Sequence, residues 1–204
     1  MIAIVDYKVG NLRSVARAFE HLGYDVVVSS KKEDIVNAER IVLPGVGAFQ
    51  KGIQNLKELD LVDTLYNEVV LKKKPFLGIC LGMQLLVKVG YETGRHQGLG
   101  WIDGECHKFQ AESCNLRLPH MGWNDVNIIN NNTIFSGLGK NPCYYFCHSY
   151  HIVCGNSVQI LASCEYGEQF SCAISKENIF AVQFHPEKSF DDGFKLLKNF
   201  CTVK

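Results

Sequence analysis

Four short apolar runs, at Ile2 to Val5, Asp25 to Val28, Arg40 to Leu43 and Pro75 to Ile79, are separated by amphipathic stretches such as Leu12 to Leu22 and Leu61 to Leu71. Strands alternating with helix-length segments build βαβ units, so this pattern predicts a parallel sheet with helices on both faces. From Gly100 onward strands dominate. The candidates are Glu105 to Phe109, Asp125 to Ile129, Tyr144 to Ser149, Gln159 to Cys164 and Phe170 to Ser175, followed by a closing helix from Gly193 to Phe200. The expected fold is an α/β open, mostly parallel sheet with a more antiparallel C-terminal extension. The 204 residues suffice for one substantial core and nothing marks a linker, so residues 1–204 read as a single domain. Ligands of such sheets bind beyond the carboxyl ends of the parallel strands. That rule brings together the turn after Leu43, the turn after Ile79 and the region of His185.

The turn after Ile79 carries chemistry. Gly78-Ile79-Cys80-Leu81-Gly82 puts a cysteine between two glycines where the apolar strand Pro75 to Ile79 gives way to Met83-Gln84-Leu85-Leu86-Val87, which reads as the opening of a helix. This is the pattern of a nucleophile elbow, whose tight packing leaves little room for a Cβ on either side of the nucleophile. The N–H groups and dipole of the expected helix favour a thiolate, the attacking species. Near the C-terminus, Ile179 to Phe184 is strand-like and Pro186 ends the pairing as His185 emerges. Extended chain would point His185 and Glu187 to the same side, letting the carboxylate hold one ring nitrogen while the other faces a thiol. Cys80, His185 and Glu187 thus read as nucleophile, base and orienter.

These residues resemble class I (triad) glutamine amidotransferases, on Gly78-Ile79-Cys80-Leu81-Gly82-Met83-Gln84 and Gln183-Phe184-His185-Pro186-Glu187-Lys188-Ser189. Within that class, further motifs are similar to the glutaminase subunits of imidazole glycerol phosphate synthase, the HisH type. They are Asp6-Tyr7-Lys8-Val9-Gly10-Asn11-Leu12, Leu43-Pro44-Gly45-Val46-Gly47-Ala48-Phe49, Leu118-Pro119-His120-Met121-Gly122-Trp123-Asn124 and His148-Ser149-Tyr150. The resemblance spans essentially the whole chain. It implies hydrolysis of glutamine through a cysteine thioester, with ammonia passed to a separate (β/α)8 barrel cyclase subunit in a heterodimer.

The resemblance also assigns roles to individual residues. Gly45 and Val46, in a turn that the residues alone would equally allow as an ordinary tight loop, form an oxyanion hole together with the N–H of Leu81. Gln84, Glu92, Ser149 and Tyr150 match positions that hold the amino-acid end of glutamine, although Glu92 in its Gly-rich loop also reads as a solvated residue. Asn11 and Lys188 match positions near the partner. One departure is Lys8, where the family commonly has glycine; a positive φ there would strain a lysine.

Composition narrows the rest. With 21 basic and 21 acidic residues the charges balance, and the compact basic run Lys72-Lys73-Lys74 reads as a solvated helix end, so no track for nucleic acid emerges. No apolar run approaches a membrane span and Met1 leads straight into a strand, which makes a cytoplasmic protein the expectation. Nine cysteines without an evident framework are expected to be mostly reduced. Cys143 and Cys147 with His148 suggest a metal only weakly, because no second ligand pair follows, so no metal and no cofactor is expected. Two other functions stay open. One is a paralogous glutaminase subunit supplying ammonia for sugar amidination in surface polysaccharide or glycan synthesis. The other is an autonomous cysteine peptidase or γ-glutamyl hydrolase of similar fold.

Overall fold

A computed structural model describes residues 1–110, 116–130 and 133–203. The N-terminal half runs β1 (Ile2–Val5), α1 (Leu12–His21), β2 (Val26–Ser29), α2 (Lys32–Asn37), β3 (Arg40–Gly45), α3 (Phe49–Glu58), α4 (Val62–Leu65) continuing into a π-helical turn (Tyr66–Leu71), β4 (Phe76–Cys80) and α5 (Leu81–Gln84). The remainder is β5 (Val89–Gly90), β6 (His96–Gln97), β7 (Gly104–Lys108), β8 (His120–Asp125), β9 (Asn127–Ile128), β10 (Cys143–His148), β11 (Tyr150–Cys154), β12 (Ile160–Tyr166), β13 (Glu168–Lys176), β14 (Ile179–Val182) and α6 (Phe190–Thr202).

Strands β2, β1, β3, β4 and β14 lie side by side and pair in parallel. Antiparallel β13 continues the sheet toward β11, β7, β5 and β6, while β12 and β9 branch from β13. The expected mostly parallel sheet with an antiparallel extension is therefore the observed one. Side chains of the central strands alternate between two cores. Val42, Leu77, Ile79, Phe180 and Val182 face a layer containing Phe19 of α1 and Phe200 of α6. Their neighbours Ile41, Leu43, Phe76, Ile179 and Ala181 face the layer of α3 and α4. Both faces are covered, which is why these strands read as continuous apolar runs.

Three expectations are corrected here. The strand expected over Asp125 to Ile129 is two: β8 pairs with β10 in a separate antiparallel ribbon, and β9 pairs with β12. Tyr144 to Ser149 ends one residue early, and a further strand, β11, follows it. The basic run is not simply solvated. Lys74 is almost buried, its ammonium donating to the Ile35 and Val36 carbonyls and pairing with the buried Glu68 carboxylate, so α4 and its π turn are tied to the end of α2. Among the described residues no helix is long and apolar enough to cross a membrane.

Candidate active site

Parallel pairing aligns the three segments that matter. Gly45 of β3 lies opposite Cys80 of β4, and Ile79 lies opposite Val182 of β14, so the strand ends open on one edge of the sheet. Cys80 has φ +54° and ψ −108°, a conformation that a residue with a side chain adopts only under constraint. The flanking glycines supply that constraint. A Cβ on Gly82 would sit 1.7 Å from the Leu43 carbonyl oxygen, and one on Gly78 would sit 2.9 Å from the Gly82 oxygen. The elbow is therefore as tight as its glycines suggest, and it delivers Cys80 to a cleft of about 400 Å³.

The helix beyond the elbow differs from the expectation. It is a single turn, because the carbonyls of Leu85, Leu86 and Val87 accept from the N–H groups of residues 99–102 and no further helical turn can form. One turn carries little macrodipole, so the helix end adds little to the electrostatics around Cys80. The resolved shift is that of His185. Burial by itself would push the His185 imidazole down, but the Cys80 sulfur and the Glu187 carboxylate outweigh it and raise its pKa to about 10. His185 Nδ1 lies 2.8 Å from Glu187 Oε1. Its Nε2 has no hydrogen-bond partner of ordinary geometry among the described residues, but the Cys80 sulfur is near enough to favour the protonated ring together with Glu187.

The route by which His185 and Glu187 meet also departs from the extended-chain expectation. β14 stops at Val182, and Pro186 opens a 3-10 turn over Pro186–Lys188 that folds the carboxylate back on the imidazole. The backbone there is braced. His185 N donates to the Tyr145 carbonyl at 2.8 Å, and Ser189 Oγ donates to the His185 carbonyl at 2.6 Å while accepting from Tyr145 N at 3.0 Å.

Val46, Cys80, Leu81, Gln84, Glu92, Ser149 and Tyr150 all line the cleft. A family profile described as glutamine amidotransferase class-I matches residues 3–203. The chain belongs to the class-I glutamine amidotransferases. It is 46% identical, over 203 residues and the whole of both chains, to a Campylobacter jejuni protein named imidazole glycerol phosphate synthase subunit HisH 1. It is 45% identical over 200 residues, 98% of each chain, to a HisH 2 subunit of Methanococcus maripaludis. A solved structure titled as a glutamine amidotransferase superposes with a TM-score of 0.73 at 19% identity, covering 98% of this chain and 96% of the other, which supports the fold.

In this amidotransferase the remaining residues are more committed than their sequence positions suggested. Gln84 is buried, and its Nε2 donates to the Tyr150 carbonyl at 2.9 Å and to Gln183 Oε1 at 3.0 Å. Glu92 is not simply solvated: its Oε2 accepts from Phe49 N at 2.6 Å, at the first turn of α3, where a carboxylate satisfies an orphan donor. Asn11, the residue before α1, and Lys188, in the Pro186–Lys188 turn, are exposed; α1 packs on that turn, and the Lys188 ammonium lies 5.5 Å from the centre of the Tyr145 ring. Lys8 does adopt φ +62°, helped by an Asp6 carboxylate that accepts its N–H at 3.0 Å.

Sequence reasoning missed two features of the amidotransferase cleft. Gln183 is wholly buried and its Nε2 lies 3.5 Å from Cys80 Sγ, tying the sulfur to Gln84. The signal was its place two residues before His185. The second is a histidine relay, in which His148 Nδ1 meets the Tyr150 carbonyl at 2.8 Å and His148 Nε2 meets His120 Nδ1 at 3.1 Å. The network assigns both rings as neutral. Burial agrees, pushing His148 down to about 3 and His120 to about 4. Cys143, Cys147 and His148 do not form a ligand cluster; among the described residues no group of three His, Cys, Asp or Glu is placed to hold a metal. Eight described cysteines are free, and Cys114 lies outside the described residues.

Proposed function

We propose that Cys80 attacks the side-chain amide carbon of glutamine, with His185 and Glu187 as its base and orienter. The observation that carries this reading is the buried Glu187–His185 pair at 2.8 Å facing a cysteine held at φ +54°. His185 passes a proton to the departing ammonia as the thioester forms, then activates the water that releases glutamate. Glu187 holds Nδ1, which leaves Nε2 for the sulfur and the leaving group. The N–H groups of Val46 and Leu81, with Gly45 allowing close approach, stabilise the oxyanion. Glu92, Ser149 and Tyr150 hold the amino-acid end of the substrate, with Gln84 fixing Tyr150 in place.

The chain is the glutaminase subunit of an imidazole glycerol phosphate synthase, serving histidine biosynthesis together with a partner synthase subunit. We infer further that the partner is a (β/α)8 barrel receiving ammonia in a one-to-one complex, that Asn11 and Lys188 touch it, and that the complex works in the cytoplasm as one glutaminase domain on one barrel. The test mixes the purified chain with two barrels from the same genome, one of the histidine pathway and one of a sugar-modification cluster, and follows glutamate release. Stimulation by the histidine-pathway barrel with its phosphoribosyl substrate is the expected result. Stimulation by the other barrel alone would move the chain to sugar amidination. Fast release without any partner would make it an autonomous hydrolase.

A further inference from the structure

Two tyrosines, Tyr144 and Tyr7, are wholly buried with hydroxyls that the mechanism leaves unused, and the one beside the proposed oxyanion turn is Tyr7. It is wholly buried at the end of β1, and its hydroxyl finds no hydrogen-bond partner among the described residues. An orphaned buried hydroxyl is destabilising, so a phenylalanine would suit this position better unless the hydroxyl acts in another state of the protein. Its position is specific. A Cβ built on Gly45 would lie 2.1 Å from the Tyr7 oxygen, so the hydroxyl occupies the side-chain space of Gly45 itself. Burial and the Cys80 charge both hold the phenol above its ordinary pKa, so it remains a donor.

The same strand end is packed closely from a second direction. A Cβ on Gly10 would meet Gly45 Cα at 3.1 Å and Val46 N at 3.5 Å. The Gly45–Val46 peptide therefore lies between the Tyr7–Gly10 loop and the cleft, which Val46 and Leu81 line and Tyr7 does not. The loop is itself fixed, because the Tyr7 carbonyl accepts from buried Asn55 Nδ2 at 2.8 Å and Lys8 holds its positive φ.

A peptide unit carries its C=O and N–H on opposite edges. When the Val46 N–H points into the cleft, the Gly45 carbonyl points away from it, into buried surroundings where it needs a donor. We propose that the Tyr7 hydroxyl is that donor: it is a positioning residue that locks the Gly45–Val46 peptide in the orientation presenting Val46 N–H to the oxyanion. This rests on the glutaminase reading above. In the free chain the hydroxyl waits without a partner; in the working complex the turned peptide satisfies both groups at once.

The experiment compares wild type and Tyr7→Phe, each in complex with the synthase partner subunit and its phosphoribosyl substrate, measuring glutamate release and, on the free chains, thermal unfolding. The expected result for Tyr7→Phe is a kcat for glutamine at least tenfold lower, a KM within twofold and an unfolding midpoint no lower than wild type. A merely structural tyrosine would lower the midpoint and move KM as well, and that outcome overturns the proposal. So does an unchanged kcat. A wild-type complex that releases no glutamate overturns the glutaminase reading and this proposal together, whereas an active wild type with an equally active Tyr7→Phe overturns this proposal alone.

Discussion

Gly82→Ala puts the elbow under the most direct strain the structure offers. The added Cβ would stand 1.7 Å from the Leu43 carbonyl oxygen, half the 3.4 Å at which ordinary van der Waals contact begins. Both partners are backbone, so no side chain can swing aside; α5 and β3 must part by about 1.5 Å, which exceeds what cores absorb at the usual overpacking cost of about 1–3 kcal/mol. A stability loss of about 3 kcal/mol or more is expected. Leu43 is two residues before Gly45, and Gly82 two residues after Cys80, so the separation carries the Val46 peptide away from the sulfur. Misplacement by about 1 Å costs on the order of a hundredfold in rate. Urea denaturation at constant slope measures the first effect, and partner-stimulated glutamate release under conditions where the variant is folded measures the second. Gly139→Ala is the control, since its Cβ meets nothing and its φ is not positive; it should stay within about 0.5 kcal/mol of wild type. A Gly82→Ala protein as stable as that control would refute the packing argument, and one that is destabilised yet turns over at the wild-type rate would refute its link to the site.

Cys80→Ala should abolish glutamate release while the complex still uses free ammonium salts, and His185→Ala should be nearly as damaging; Glu187→Ala should retain more activity, because solvent and neighbours can partly replace an orienter. Steady-state glutamate release ranks the three, and a Glu187 variant below the His185 variant would reverse the assigned roles. Acid should destabilise the fold through His120 and His148. Both are held well below the ordinary 6.5, so the unfolded chain binds more protons as pH falls and stability drops from pH 6.5 toward 4, visible as a falling urea midpoint that His148→Gln should flatten. His185 has the opposite sign. Its pKa is raised to about 10, so its contribution is complete below pH 6.5 and is lost as pH rises through 10; His185→Ala should flatten that alkaline limb.

Local residue choice was enough to declare the parallel half of the sheet, because strands buried on both faces must be apolar throughout and their helices must be amphipathic. Ile2 to Val5 is β1 with the same bounds, and the glycines around Cys80 announced the elbow because no other residue clears the Leu43 carbonyl. The three residues of the proposed triad could be picked out for a related reason: a cysteine between glycines and a histidine before a proline are local signatures of chain geometry. β8 and β11 were not legible. β8 contains Gly122 and exposes Met121 and Trp123, and it is a strand because β10 pairs with it, a long-range fact with no local trace.

Tertiary structure alone decided which polar atoms meet. Gln183 touches Cys80 across 103 residues of chain, Gln84 reaches Tyr150 across 66, and Glu92 reaches the head of α3 across 43. It also cut the elbow helix to one turn, because the 99–102 segment took the carbonyls that a second turn would have used. Propensity and periodicity act over a few residues, so they determine where the chain turns and which faces are apolar. A hydrogen bond between distant segments, or an orphaned hydroxyl such as that of Tyr7, exists only once the sheet has brought those segments into contact, and it is there that the candidate site is assembled.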